Sequence, residues 1–145
     1  MDTNENTANR TILVVDDDDL TRAMVAHLLE REGYRVLKAA DGASALTLYA
    51  DEKPDLVVLD IAMPHMSGME VAARLRKMQR EQGRRVPIIV LTAYARSFSA
   101  SGGGGADVDS FLTKPILPVK LLRHVHQFLG GAPSQKGNSS TPAGS

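Results

Sequence analysis

The sequence predicts an α/β protein, a three-layer sandwich in which helices cover both faces of a parallel sheet. Short runs rich in β-branched residues alternate with helical periods along the chain, and this alternation indicates βαβ units with right-handed crossovers. The apolar runs are nearly continuous, which is typical of strands that are buried on both faces. A chain of 145 residues is long enough for one domain with a substantial core and too short for two ordinary ones.

Five runs have the length and composition of strands. Each contains several β-branched or aliphatic residues, which favour extended backbone. The runs are TILVVD at 11–16, YRVLKAA at 34–40, DLVVLD at 55–60, VPIIVLT at 86–92 and SFLTK at 110–114.

Two helices are predicted in the first half of the chain. The first starts near Leu20 with apolar residues recurring on one face, and Gly33 ends it. The second begins at Asp41, which is a good N-cap residue, and ends before Pro54.

Two further helices are predicted in the second half. Ser67 caps the first of them, and Glu70, three residues later, is expected to complete a capping box. The last helix has Pro118 near its first turn and Gly130 after its end.

The ends of the chain differ in composition from the rest. Residues 1–10 are polar and predict a disordered lead, and residues 130–145 are rich in Gly, Ser and Pro and predict a flexible tail. The ordered domain is expected at 11–129. Four consecutive glycines at 102–105 disfavour a regular helix there, since each Gly costs about 1 kcal/mol relative to Ala.

Composition excludes several classes of protein. Lys plus Arg equals Asp plus Glu at 17 each, so net charge does not indicate nucleic acid as a direct partner. The absence of Cys excludes a disulfide framework and a thiolate metal site. The apolar runs are too short to span a membrane, and the polar N-terminus does not resemble a secretory signal, so a cytoplasmic protein is expected.

Polar residues stand at the carboxyl ends of the predicted strands. Asp16 and Asp17 end the first strand, Asp60 the third, Thr92 the fourth and Lys114 the fifth. Each has a plain structural explanation by itself, such as a helix cap or a strand end at the surface. Because ligands of open α/β sheets bind beyond the carboxyl ends of the strands, their joint occurrence predicts a functional site.

Three carboxylates at one edge would repel one another and raise their pKa values. Mg²⁺, which takes one or two carboxylates together with phosphate oxygens, would remove this repulsion. An Asp can attack phosphorus to form an aspartyl phosphate. Asp60 is therefore interpreted as a phosphate acceptor, with Lys114 and the Thr92 hydroxyl stabilising the transferred group.

At these residues the sequence resembles the receiver domain of two-component response regulators. The resemblance covers about 11–129 and rests on ILVVDDDDL, LDIAMPHMSGME, VLTAY and FLTKP. It implies a flavodoxin-like fold with strand order 2-1-3-4-5 and a cis bond between Lys114 and Pro115. It also implies that Asp60 is the phosphoacceptor, and that Asp16, Asp17, Asp60 and the backbone carbonyl of Ala62 bind Mg²⁺.

The resemblance assigns the remaining site residues as well. Thr92 is the switch hydroxyl, Phe111 its aromatic partner and Lys114 the phosphate-contacting lysine, while Ala62 and Tyr94 occupy the variable flanks of the site. It implies a phosphorylation-controlled switch rather than an enzyme, phosphorylated by a histidine kinase or a histidine phosphotransfer protein. No output module is evident, so an unknown output protein is expected as partner, without direct contact with nucleic acid or a membrane.

Alternative functions remain open at this point. Two alternatives are a receiver fragment of a longer response regulator and a binding module that keeps only the fold. An aspartate-nucleophile phosphohydrolase would need a second acid two residues beyond the nucleophile, and Ala62 stands there.

Overall fold

The computed structural model describes residues 10–93 and 108–130. Strands and helices alternate through most of this part of the chain. In order, the elements are β1 (Thr11–Val15), α1 (Asp19–Arg31), β2 (Arg35–Ala39), α2 (Gly42–Glu52), β3 (Leu56–Asp60), α3 (Gly68–Gln82), β4 (Ile88–Thr92), β5 (Ser110–Thr113) and α4 (Pro118–Leu129).

The strands form one parallel sheet in the order β2-β1-β3-β4-β5. This order confirms the fold class and the topology that the sequence resemblance implies. From β1 the first crossover adds β2 on one side, and the following crossovers add β3, β4 and β5 on the other side, so the order in which strands are added switches between β1 and β3. The peptide bond between Lys114 and Pro115 is cis, as expected.

Two apolar layers enclose the sheet. Residues of odd number in β1, such as Leu13, pack with Tyr49 of α2 and Leu75 of α3. Residues of even number, such as Ile12, pack on the other face with α1 and with Leu121 of α4. Both faces of the sheet are therefore buried, which explains why its strands are almost uninterrupted apolar runs.

Side-chain caps fix where the first three helices begin, whereas α4 has no side-chain cap and starts at Pro118. Asp18 accepts a hydrogen bond from the Thr21 amide at 2.8 Å, and Asp41 accepts one from the Ser44 amide at 2.7 Å. Ser67 likewise accepts from the Glu70 amide at 3.2 Å. These contacts satisfy amides that have no partner inside the helix.

The expected capping box at the start of α3 forms only in part. The Glu70 carboxylate accepts a hydrogen bond from Arg74 at 3.1 Å, one helical turn further on, and does not bond back to the Ser67 amide. An i,i+4 ion pair therefore takes the place of the second capping bond.

Several boundaries shift by one or two residues from the sequence expectation. The predicted strand at 86–92 begins at Ile88, and the first helix begins at Asp19 rather than Leu20. The predicted lead and tail lie outside the described residues except for Arg10 and Gly130, as does the glycine segment at 102–105. Among the helices that the structure describes, none combines the length and the apolar character needed to cross a bilayer.

Candidate functional site at the carboxyl edge of the sheet

The fold brings the polar strand-end residues to one edge of the sheet. Asp60 is the last residue of β3 and pairs with Leu91 of β4, so Thr92 lies one residue further towards the same edge. The Lys114 amide donates to the Thr92 carbonyl at 2.8 Å and holds the end of β5 beside β4. Asp16 and Asp17 follow β1 directly.

One ammonium group lies between two buried carboxylates. Lys114 Nζ donates to Asp60 Oδ1 at 3.1 Å and lies 3.4 Å from Asp16 Oδ2. Asp16 is 0% and Asp60 2% exposed, whereas the Lys114 side chain is 26% exposed. The lysine therefore reaches in from the surface to carboxylates that have lost most of their contact with water.

Burial controls the protonation of Asp60. The pKa of Asp60 is raised to about 6, chiefly because burial removes hydration from the carboxylate and secondly because the charge of Asp16 lies nearby. Lys114 and the Ala62 amide, which donates to Asp60 Oδ1 at 3.3 Å, oppose this rise. The net rise means that Lys114 and the Ala62 amide only partly offset burial and the charge of Asp16.

The pKa of Lys114 is raised as well, but for a different reason. Burial by itself would lower the pKa of this ammonium, but the hydrogen bond from Lys114 to Asp60 and the charge of Asp16 outweigh burial and raise it. Lys114 therefore stays charged while Asp60 titrates.

The acidic residues fit a divalent cation with oxygen ligands. One carboxylate oxygen from each of Asp16, Asp17 and Asp60 lies within 4.8 Å of the others. Asp16 Oδ2 is buried and has no hydrogen-bond partner among the described residues. Oxygen ligands of one Mg²⁺ at about 2.0–2.1 Å lie roughly 3–4 Å apart, so small side-chain rotations would complete such a site.

Arg22 is a residue of this site that the sequence reasoning missed. Its guanidinium donates to the Asp16 backbone carbonyl at 2.8 Å and to the Asp19 carboxylate at 2.6 Å. The Asp18 amide also donates to Asp16 Oδ1 at 2.9 Å. Together these bonds hold the acidic turn after β1. The spacing of Arg22 from Asp19, one helical turn, was the signal available in the sequence.

The loop after Asp60 folds back tightly on the strand. The Gly68 amide donates to the Ile61 carbonyl at 2.9 Å. A Cβ atom at Gly68 would lie 2.2 Å from the Asp60 carbonyl oxygen, a separation that no side chain could tolerate. The sequence indicated only a turn at Gly68, and the structure adds that this glycine sets how closely α3 approaches Asp60.

The other residues assigned from the sequence resemblance differ in how far they are buried. Thr92 is buried at the end of β4. Phe111 on β5 is half-buried against the core layer that contains Leu13, and Ala62 is exposed beside Asp60. Tyr94 lies outside the described residues.

Comparison with known proteins identifies the family. The family model described as "Response regulator receiver domain" matches residues 12–126. The chain belongs to this family. Its members are phosphoacceptor domains of two-component signalling, which confirms the family resemblance seen in the sequence motifs.

Curated relatives of this receiver domain include short and long proteins. An uncharacterized 14.6 kDa protein from Leptolyngbya boryana is 41% identical over 121 residues, covering 83% of this chain and 91% of that one. The alkaline phosphatase synthesis transcriptional regulatory protein PhoP of Bacillus subtilis is 39% identical over 121 residues, covering 83% of this chain and 49% of that one. The chain thus spans about half the length of the transcriptional regulators that it matches.

Solved structures share the fold of this receiver domain. The chemotaxis protein CheY4 of Vibrio cholerae has a TM-score of 0.75 at 31% identity, with 82% of this chain and 98% of that chain covered. The receiver domain of a sensor histidine kinase from Pseudomonas aeruginosa PAO1 has a TM-score of 0.75 at 30% identity, with 83% and 98% covered. That structure is described with a magnesium ion coordinated in its active site cleft.

Proposed function

We propose that Asp60 accepts a phosphoryl group from a phosphohistidine of a histidine kinase or histidine phosphotransfer protein in the cytoplasm. A carboxylate oxygen of Asp60 forms a bond to phosphorus as the bond from phosphorus to the imidazole nitrogen breaks. The imidazole leaves with the electron pair of that bond, and the product is an acyl phosphate.

The contact of Lys114 with Asp60 is the observation that carries this proposal. The ammonium lies 3.1 Å from Asp60 Oδ1. A fixed positive charge beside the acceptor oxygen stabilises the negative charge of the phosphoryl oxygens without reorganisation during the transfer. Asp60 itself is fixed at the end of a rigid, fully buried strand.

The carboxylates of Asp16, Asp17 and Asp60 and the carbonyl of Ala62 would hold Mg²⁺. When bound, this ion supplies positive charge to the transferring phosphoryl group. Two observations support this assignment. Asp16 Oδ2 has an ion pair with Lys114 at 3.4 Å but no hydrogen bond among the described residues, and the pKa of Asp60 is raised by burial and by the charge of Asp16.

Thr92 and Phe111 are proposed to transmit the effect of phosphorylation at Asp60 to the protein surface. Thr92 is buried next to the acceptor edge, where its hydroxyl can donate to a phosphoryl oxygen. Movement of Thr92 towards the phosphoryl group would let the half-buried Phe111 turn further inward, and the altered surface would then be recognised by an output protein.

A phosphohydrolase is less well supported. Ala62, two residues beyond the proposed nucleophile, has no group that can protonate a leaving oxygen or activate water. The acyl phosphate is therefore the signalling product and not a short-lived catalytic intermediate.

Intact-protein mass spectrometry tests the proposal. Incubation with a small phosphoramidate donor and Mg²⁺ should add one phosphoryl group that hydroxylamine and base remove. Asp60→Asn should abolish this gain, whereas Asp51→Asn, at an exposed aspartate of α2, should keep it. Full phosphorylation of the Asp60→Asn protein would exclude Asp60 as the acceptor.

A further inference from the structure

A second group of basic side chains lies at the opposite edge of the sheet. It forms a pocket of about 360 Å³ at the end of α3 and the turn that follows. The lining residues, called here the arginine pocket, are Arg76, Gln79, Arg80, Gly83, Arg84 and Arg85. Asp55 and Asp109, which contact this group, precede β3 and β5, so the pocket is near the amino ends of the strands.

Two of the arginines build the wall of the pocket. Arg76 is buried, donates to the Val86 carbonyl at 2.7 Å and pairs with Asp109 at 2.6 Å. Arg85 also pairs with Asp109, at 3.0 Å. The Asp109 carboxylate accepts the Ile88 amide as well, so this side is rigid and its guanidinium groups are committed to the fold.

Gln79 presents a buried donor without an acceptor. Its Oε1 accepts from Arg76 Nη1 at 2.6 Å and from the Val86 amide at 3.0 Å. These two donors fix the orientation of the amide, so the other atom is the NH₂ group. Gln79 is only 3% exposed, and its Nε2 has no hydrogen-bond partner among the described residues.

Arg84 and Arg80 add further donors. Arg84 pairs with Asp55 through Nη2 at 3.2 Å, but its buried Nη1 has no hydrogen-bond partner among the described residues. The Tyr49 hydroxyl lies beside Gln79 and Arg84 and interacts with both side chains, although the geometry is too poor for a full hydrogen bond to either. Arg80 is exposed and forms no ion pair with any residue that the structure describes.

We propose that the arginine pocket binds a small phosphate-bearing molecule, at a site separate from Asp60. Four guanidinium groups line the pocket, and that of Arg80 is exposed to solvent, so an anion entering the pocket meets concentrated positive charge. Guanidinium groups match the geometry of phosphate and bind it through two parallel hydrogen bonds. Four strand steps of about 3.3 Å separate Asp60 from the start of β3, so the two sites lie at opposite edges of the sheet.

Titration of inorganic phosphate into ¹⁵N-labelled protein without Mg²⁺, at constant ionic strength, tests the proposal. Saturable shifts are expected at the Gly83 amide and the Arg80 and Arg84 side chains. Arg80→Gln should weaken binding about fivefold or more, because it removes an exposed charge-assisted donor without disturbing a described contact. Lys77→Gln, which removes one exposed charge from the same helix outside the pocket, should change it less than twofold.

One further variant and two further ligands test which class of ligand binds. Arg84→Lys keeps the charge but loses the forked donor, and it should also weaken phosphate binding. Glycerol phosphate, a simple phosphomonoester, should bind at least as tightly as inorganic phosphate, and acetate more weakly. Shifts only near Asp60, equal losses in the Arg80 and Lys77 variants, or acetate binding as tight as phosphate binding would each overturn the proposal.

Discussion

Lys114 contacts Asp60 at 3.1 Å although 54 positions separate them in the chain. The same ammonium lies 3.4 Å from Asp16, so one lysine, whose side chain is partly exposed, contacts two buried carboxylates. This contact sets the charge around Asp60 before any ligand binds.

Asp60→Asn should stabilise the unphosphorylated protein at neutral pH. The pKa of Asp60 is raised from 3.8 in the unfolded reference to about 6 in the folded protein. The folded protein therefore binds a proton more readily between these values, and the free energy of unfolding falls as pH rises from about 4 to about 6. Removing the charge of Asp60 should raise the free energy of unfolding by about 1–3 kcal/mol at pH 7.

Urea denaturation from pH 3.5 to 8 measures this effect. The gain from Asp60→Asn should shrink below pH 6 and vanish near pH 4, while Asp51→Asn shows no such trend. A gain of the same size at all pH values would mean that the ionised carboxylate is not its cause.

Lys114→Gln should tighten Mg²⁺ binding at pH 8. The ammonium occupies the same carboxylate oxygens that would hold the ion, and it repels a second cation. Isothermal titration calorimetry with Mg²⁺ should show a lower Kd than in the parent protein. Weaker binding would show that Lys114 orients the carboxylates more than it competes for them.

Asp17→Ala should weaken Mg²⁺ binding, by about tenfold or more, because it removes an exposed carboxylate from the cluster. Loss of one negative charge beside Asp60 should leave the stability of the metal-free protein unchanged or higher. The matched variant is Asp51→Ala, which lies outside the cluster. Equal affinities in the two variants would limit Asp17 to a role in the acidic turn.

Ala62→Asn should shorten the lifetime of the phosphorylated form. Alanine cannot hydrogen-bond an attacking water, whereas an amide beside Asp60 can position one. We expect the first-order loss of the phosphoryl group to accelerate by about an order of magnitude. Ala62→Val, which adds bulk without a polar group, is the control. Equal decay in both variants would argue that water is positioned elsewhere.

Gly68→Ala should destabilise the domain through a direct steric clash. The added Cβ would lie 2.2 Å from the Asp60 carbonyl oxygen and 2.6 Å from Ile61 Cα, so backbone must move. A loss of about 2–4 kcal/mol is expected, together with slower phosphorylation, because the moved backbone carries Asp60.

Gly83→Ala separates this clash from backbone strain. Gly83 has a φ of 67° but nothing within 4 Å of an added Cβ, so only conformational strain of about 1–2 kcal/mol applies. Chemical denaturation compares the two variants. If Gly68→Ala costs no more than Gly83→Ala, the loop adjusts and the close approach is not required.

The amino-acid sequence determined the layered fold and the edge at which the site forms. Apolar runs such as Leu56–Asp60 end on polar residues, and the parallel arrangement implied by the helices between them places those ends together. Local signals of this kind depend on neighbours within a few residues. The caps at Asp41 and Ser67 were predictable because each bonds to an amide only three residues further along the chain.

Only the tertiary structure decided how these residues meet. Asp16 is buried while the adjacent Asp17 is exposed, and Lys114 bridges Asp16 and Asp60, because three strands distant in sequence set their positions. The arginine pocket was equally hidden, since its acceptors Asp55 and Asp109 come from other strand ends. Hydrophobic periodicity defines which face of an element is buried, but the pairing of charges across elements depends on packing distances that no single segment contains.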